Sequence, residues 1–197
     1  LVTTGSEGLA GTLYSEEIYL KSHKSQYIDY LTFHLWPKNW SWFDPEDAEK
    51  TYPVTVTKAV DYINQHIGFA RRLNKPLILE EFGIPRDKGL FQDSVPTSVR
   101  DKYYKKIFEL VFDSASAGSP LAGYNFWAWG GEARAQHPDG WWKPGDAFVG
   151  DPSGEPQGYN SIFNTDKSTL LIIKESSEKL KNLTEKPLGM SDSALKP

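Results

Sequence analysis

The stretch KPLILEEFGI, residues 75–84, runs from a lysine and a proline through three aliphatic residues into two adjacent glutamates, Phe82 and Gly83. An unbroken apolar run after a proline suits a strand covered on both faces, as in a parallel sheet. Burying an ionised carboxylate is costly unless the charge is paired. Glu80 and Glu81 are therefore expected where the strand emerges. Two readings follow: a solvated strand end, or a catalytic carboxylate at the mouth of an α/β fold.

Outward from this strand the chain alternates. LVTTG (1–5) reads as a short strand, followed by a helix near 15–23. YIDYLTFHL (27–35) reads as a second strand, with a long aromatic loop through Pro53. A helix over 54–73 carries Val56, Val60, Ile63, Ile67 and Ala70 at helical spacing. After the third strand, KPLILEE, a helix over about 97–117 repeats Tyr104, Ile107, Val111 and Ala115 on one face. LAGYNFWAW (121–129) reads as a fourth strand, then a long loop rich in Gly, Pro and Trp leads to a last helix near Ser168. The tail over 186–197 has little to order it. Strand and helix alternating four times point to an α/β fold of parallel βα units. In a βα barrel, the loops after the strands build the active site.

Composition removes several function classes. The 197 residues suffice for one domain with a real core. With 22 basic against 26 acidic residues and no basic stripe, neither nucleic acid nor an anionic membrane is an expected partner. No apolar run is long enough for a membrane-spanning helix. There is no cysteine, and His23, His34, His66 and His137 lack clustered spacing, so no metal is expected. Residues 44–49 read as a solvated helix start rather than a calcium loop. No phosphate- or dinucleotide-binding motif and no serine nucleophile elbow occurs, so no cofactor is expected. The chain starts at Leu1 without a leader and is already strand-like there, which suggests a processed, truncated or split polypeptide.

The seven tryptophans fall in two clusters: Trp36, Trp40 and Trp42, then Trp127, Trp129, Trp141 and Trp142. Aromatic residues commonly fill cores. These instead lie at the ends of the second and fourth strands or in the loops just after them, on the rim that also carries Glu80 and Glu81. That clustering points to a ligand surface. Strand parity places Ile28, Tyr30, Thr32, His34 and Trp36 on one face and Leu31, Phe33 and Leu35 on the other, so His34 and Trp36 should point into the mouth. Gly123, Asn125, Trp127 and Trp129 share a face of the fourth strand. On the third, Glu81 shares a face with Leu77 and Leu79, and Glu80 with Ile78. Parity separates the glutamates without saying which faces inward.

The run Leu79-Glu80-Glu81-Phe82-Gly83, with His34 and Phe126-Trp127, resembles the C-terminal half of a family 5 glycoside hydrolase, a clan A enzyme, over residues 1–185. LVTTGSEG (1–8), HLWPKNW (34–40) and EPQGYNSIFNTDKST (155–169) are similar to its β-mannanase branch. The resemblance implies a (β/α)8 TIM barrel of which this chain supplies about four βα units, strands five to eight. It implies retaining cleavage of β-1,4-mannosidic linkages, with Glu81, directly before the aromatic-glycine pair, as an inward-facing nucleophile and Glu80 as its neighbour. His34 would belong to the supporting network. Trp127 would form the platform beneath the sugar, and Trp36, Trp40, Trp129 and Trp142 would add to the sugar-binding surface. Many members carry a tyrosine at the position of Trp36.

A retaining glycosidase needs a second carboxyl about 5–5.5 Å from the nucleophile. In the family it is the glutamate of an Asn-Glu dipeptide, and none occurs here. Glu155-Pro156 follows Gly154 and reads as loop structure; Glu7 reads as a rim residue. The acid/base is therefore expected on the N-terminal half of the same barrel, whether a missing segment or a second chain. A β-mannan or mannooligosaccharide would be the substrate, and the location secreted, periplasmic or cell-surface. The alternatives are a non-catalytic sugar-binding fragment or a β-1,4-glucanase of the same family. Four parallel strands alone would leave two open edges and turn Leu77, Leu79, Thr32 and Gly123 toward water.

Overall fold

A computed structural model of the protein describes residues 1–184, so the tail expected over 186–197 lies outside the described residues. A 3₁₀ turn (Ala10–Thr12) precedes α1 (Glu16–His23), β1 (Leu31–Leu35), α2 (Ala48–Leu73) and β2 (Leu77–Phe82). A second 3₁₀ turn (Asp87–Gly89) leads to α3 (Ser98–Ser116), β3 (Leu121–Tyr124), β4 (Trp129–Gly131), β5 (Ile162–Phe163) and α4 (Lys167–Thr184). β1, β2 and β3 form one sheet in that order, and both pairings are parallel. Parallel neighbours need a crossover, and α2 and α3 supply it. Of the four βα units expected, β1–α2 and β2–α3 are present as read.

The core lies between this sheet and α2 and α3. Leu31, Phe33 and Leu35 of β1, with Leu77, Leu79 and Phe82 of β2, are fully buried. They pack with Ala59, Ile63 and Ile67 of α2 and with Tyr103, Tyr104, Ile107 and Val111 of α3. Leu77 and Leu79, expected toward the barrel interior, are instead in this helix-facing core. Thr32, expected to meet water, is also fully buried, and its hydroxyl donates to the Ser6 carbonyl at 3.1 Å. Gly123 is half-buried.

The reason is a bulge. Along the β1–β2 ladder Phe33 faces Leu79, but the next pair is His34 with Glu81. Glu80 is therefore an extra residue on β2. The alternation slips by one, so that Leu79 and Phe82 both face the helices and both glutamates fall on the opposite side.

Three further expectations change. Residues 1–5 are not a strand. The segment runs beside β1, with Asp29 N–H donating to the Val2 carbonyl at 2.8 Å and His34 N–H to that of Glu7 at 3.0 Å. Gly5, at φ 63°, and Gly8, at φ 90°, break the extended run between and beyond these contacts. α2 starts before Pro53, which sits inside the helix. The hydroxyl of Thr51 donates to the Asp47 carbonyl at 2.9 Å and that of Thr55 to the Trp42 carbonyl at 2.7 Å, tying this first part to the preceding loop. The fourth strand divides: β3 stays with β2, whereas β4 pairs with β5, residues 162–163.

Candidate active site

The C-terminal ends of β1 and β2 and the chain beyond β3 converge on a cleft of about 370 Å³ lined by Glu7, His34, Trp36, Asn39, Glu81, Trp127, Pro152 and Glu155. His34 and Trp36 point into it, as parity requires. The His34 ring lies between the two glutamates, with Nε2 3.5 Å from Glu80 Oε2 and Nδ1 3.3 Å from Glu81 Oε2. A neutral imidazole carries one N–H, so only the protonated ring can donate to both carboxylates.

The bulge puts both glutamates on the open side of the sheet, yet they serve different spaces. Glu81 lines the cleft. Glu80 lines a separate hollow of about 540 Å³, with Tyr30, Ile78, Gly123 and Asn125. Depth, rather than parity, distinguishes them.

Gly83 lets the two indoles close on this strand end. A Cβ there would lie 2.8 Å from Trp36 Cζ3 and 3.1 Å from the Trp127 carbonyl oxygen. Trp36 and Trp127 meet nearly edge to face, their centroids 6.3 Å apart at 77°. The backbone of Trp127 is held by its N–H donating to the Phe82 carbonyl at 2.9 Å and by the Tyr104 hydroxyl donating to its carbonyl at 3.2 Å.

Glu7 reaches the cleft through a turn secured by α2. Leu9 N–H donates to His66 Nε2 at 3.1 Å, and Ala10 N–H to the Tyr62 hydroxyl at 3.0 Å. Gly8 is required here, because a Cβ would fall 2.6 Å from His66 Nε2. His66 is fully buried. Desolvation, the largest influence, drives its pKa from 6.5 down to about 4. The ring is therefore neutral, with Nδ1–H donating to the Tyr62 carbonyl at 2.8 Å while Nε2 accepts.

Glu155, read from the sequence as loop structure, belongs to the cleft wall. Its Oε1 accepts from Asn39 Nδ2 at 2.8 Å and its Oε2 from Asn160 Nδ2 at 2.9 Å. The loop that carries it wraps the buried Asp151 carboxylate, which accepts from the N–H groups of Gly158 and Asn160, both at 2.8 Å, and from the Ser161 hydroxyl at 2.6 Å. Asn39 and Glu155 lie 116 residues apart in sequence, and no local pattern signals their contact.

Of the five tryptophans expected at the sugar surface, Trp36 and Trp127 line the cleft. Trp40 packs against Trp42 and Tyr62, at centroid distances of 4.9 and 5.1 Å, on the edge of the core. Trp142 stacks on Phe148 within 5° of parallel and donates to the Asp146 carbonyl. Trp129 lies on β4 and is exposed. Among the described residues no three His, Asp or Glu side chains converge as a metal-binding group, and no helix is long and apolar enough to cross a membrane.

The family model described as GH family 5 beta-mannosidase-like matches residues 1–185. The mannan endo-1,4-beta-mannosidase 4 of Oryza sativa subsp. japonica is 29% identical over 194 residues, covering 91% of this chain and 37% of its own length. The enzyme of the same name from Solanum lycopersicum is 28% identical over 123 residues, covering 62% and 28%. A crystal structure of a glycoside hydrolase family 5 mannosidase from Rhizomucor miehei superposes with a TM-score of 0.82 at 34% identity, over 94% of this chain and 44% of that one. A variant of that mannosidase with one glutamate changed to alanine, in complex with mannosyl-fructose, gives a TM-score of 0.81. A variant with a different glutamate changed to alanine gives 0.76. The chain spans roughly a third of the length of these curated relatives and less than half of the solved mannosidase.

Proposed function

Since the chain belongs to glycoside hydrolase family 5, in its β-mannosidase-like group, we propose that it supplies the nucleophile side of a retaining hydrolase of β-1,4-mannosidic linkages, with Glu81 as nucleophile. One observation carries the assignment of Glu81. It is the glutamate of the bulged pair that lines the cleft, beside His34 and in the same cleft as Trp36 and Trp127, while Glu80 faces the hollow below.

The Glu81 carboxylate attacks the anomeric carbon and forms a glycosyl ester as the leaving oxygen takes a proton from an acid. Water, deprotonated by the same acid/base residue, then displaces Glu81 and releases the sugar with its configuration retained. His34 orients Glu81 through Nδ1, and the Trp127 indole offers a flat face to the C–H side of the pyranose ring. Neither other acidic residue of the cleft suits the acid role. Both oxygens of Glu155 already accept amide hydrogen bonds, and Glu7 is not part of an Asn-Glu dipeptide. The acid/base is assigned to an N-terminal half of the same barrel, on an upstream segment or a second chain. Two facts support this. The chain covers 44% of the solved mannosidase, and its sheet has three strands among the described residues where a TIM barrel has eight. The described units then correspond to the second half of that barrel. A polysaccharide substrate of this kind fits a secreted or cell-surface enzyme.

The Asn39–Glu155 hydrogen bond joins the loop after β1 to the loop before β5 across the cleft wall. A bridge here narrows the cleft at that wall, and on this ground the reading extends to action at chain ends, with release of single mannose units.

The test uses the full-length protein on mannan, cellulose and xylan. Mannan should be the favoured substrate. Glu81→Ala should abolish turnover, and azide should restore it on an activated aryl mannoside as a glycosyl azide of inverted configuration. Glu80→Ala should stay active. Rescue confined to the Glu80 variant would reverse the assignment, and dominant action on cellulose would make the protein a glucanase. Sugar binding without turnover in the wild type would make it a binding module.

A further inference from the structure

We infer that Arg100 is a positioning residue that fixes the Glu155 wall of the cleft relative to the strand end bearing Glu81; the inference rests on the chain-end reading above. Arg100 lies in the first turn of α3 and is fully buried. Its donors go to two segments of the site. Nε donates to the carbonyl of Ile84, three residues beyond Glu81, at 3.0 Å. Nη1 and Nη2 donate to the carbonyls of Ser161 and Tyr159, each at 2.9 Å.

Tyr159 and Ser161 flank Asn160, and Asn160 is the link to the wall. Its Nδ2 holds Glu155 Oε2 at 2.9 Å, while its backbone N–H is held by Asp151 at 2.8 Å. The path from Glu81 to Glu155 thus runs through Ile84, the Arg100 fork, Asn160 and one carboxylate hydrogen bond. Among the described residues, Arg100 is the side chain that hydrogen-bonds both the segment following β2 and the loop of residues 149–161. A guanidinium presents its N–H groups in a fixed planar fork, whereas a lysine ammonium is a single point with three rotatable donors. A lysine has no counterpart to the Nε donor that holds Ile84 while the outer nitrogens hold Tyr159 and Ser161. The charge itself is offset in part nearby: Asp166 Oδ2 lies 3.8 Å from Nη1 and also receives Arg86.

If the role is positional, a change at Arg100 alters which bonds are cut as well as how fast. The experiment compares wild-type and Arg100→Lys forms of the full-length enzyme on mannooligosaccharides and mannan. It measures mannose against longer products, kcat and KM separately, and a thermal melt in parallel. A displacement of about 1 Å at a positioned group can cost roughly 100-fold in rate. Terminal release by the variant should therefore fall by about that factor in kcat/KM, with KM raised, and the share of longer products should rise. Asn160→Ala leaves the buried charges in place and cuts the path beyond them, so it decides the matter if Arg100→Lys does not fold. It should shift products in the same direction. Folded variants with the wild-type product ratio would overturn the inference alone. A wild type that already releases mainly longer oligosaccharides would overturn the chain-end reading and this inference with it, leaving the Glu81 azide result standing.

Discussion

Replacing His66 by glutamine should remove an acid sensitivity that the folded protein owes to one buried imidazole. The unfolded chain binds a proton at this residue near pH 6.5, while the folded protein, by desolvation above all, resists it until about pH 4. Between those values the unfolded state holds more protons, so stability falls as pH falls. The contribution is fully present above about pH 6.5 and is lost progressively down to about pH 4, below which nothing more is lost. A gap of about 2.5 pH units at 1.36 kcal/mol each amounts to roughly 3 kcal/mol. That is a large share of the 5–15 kcal/mol or so that holds a typical domain together. The ring has no room to relax, since Phe33 stacks on it at 4.7 Å and Tyr62 lies 4.3 Å away. His23 is also pushed down, first by burial, so its titration adds in the same direction and remains in the variant.

The assay is urea unfolding of wild-type and His66→Gln full-length protein between pH 7 and pH 4. The wild type should lose about 3 kcal/mol more than the variant over this range. Proton–nitrogen correlation spectra should show the His66 ring still neutral, protonated on Nδ1, at pH 5. Parallel pH profiles, or a ring that titrates near 6.5, would refute the reasoning. Because Leu9 N–H rests on His66 Nε2, protonation of the folded ring near pH 4 should loosen the turn that carries Glu7 into the cleft.

Gly83→Ala should push Trp36 out of its place, because the new methyl meets Trp36 at 2.8 Å and, less yieldingly, the Trp127 backbone oxygen at 3.1 Å. Stability should fall by about 1–3 kcal/mol while kcat/KM falls by about 100-fold, and an alanine variant with wild-type kinetics would show that the walls are not fixed there. Asp166→Asn leaves two fully buried arginines, Arg86 and Arg100, without their shared counter-charge, and urea unfolding should register a loss of about 3–5 kcal/mol. A loss below about 1 kcal/mol would mean that the pair is solvated in solution.

The helices and the central strands were legible because periodicity records which side of an element is buried. α1, α3 and α4 begin within a few residues of their expected starts, and His34 and Trp36 point where alternation on β1 sends them. α2 starts earlier than the sequence reading places it because Pro53 reads as a helix boundary, while the Thr55 hydroxyl that secures its start bonds to the Trp42 carbonyl, outside the helical repeat. Residues 1–5 have strand composition, yet Gly5 at positive φ interrupts the ladder. Trp40 sits in a loop and still fills space beside Tyr62, since a loop residue beneath a helix can be core. Glu155 was out of reach for a different reason: its partner Asn39 is 116 residues away, and nothing local marks a long-range amide–carboxylate pair.

The two glutamates show most clearly where sequence reasoning stops. Strict alternation sends one of them to the helices, where an ionised carboxylate would sit uncompensated near Tyr104 at a cost of several kcal/mol. Slipping the register at Glu80 avoids that cost. Phe82 takes the buried position, its ring centroid 4.9 Å from that of Tyr104 and tilted by 43°, and both carboxylates reach the open side, where one histidine contacts each. The Phe82 ring and the neighbouring β1 strand decide the slip together, so it cannot be read from residues 75–84 alone. Two like charges on one face would repel, and the His34 ring lies between them. The same slip separates their depth, leaving Glu80 over the hollow and Glu81 in the cleft. A chemical choice between adjacent, identical side chains is thus made by one extra residue in a strand.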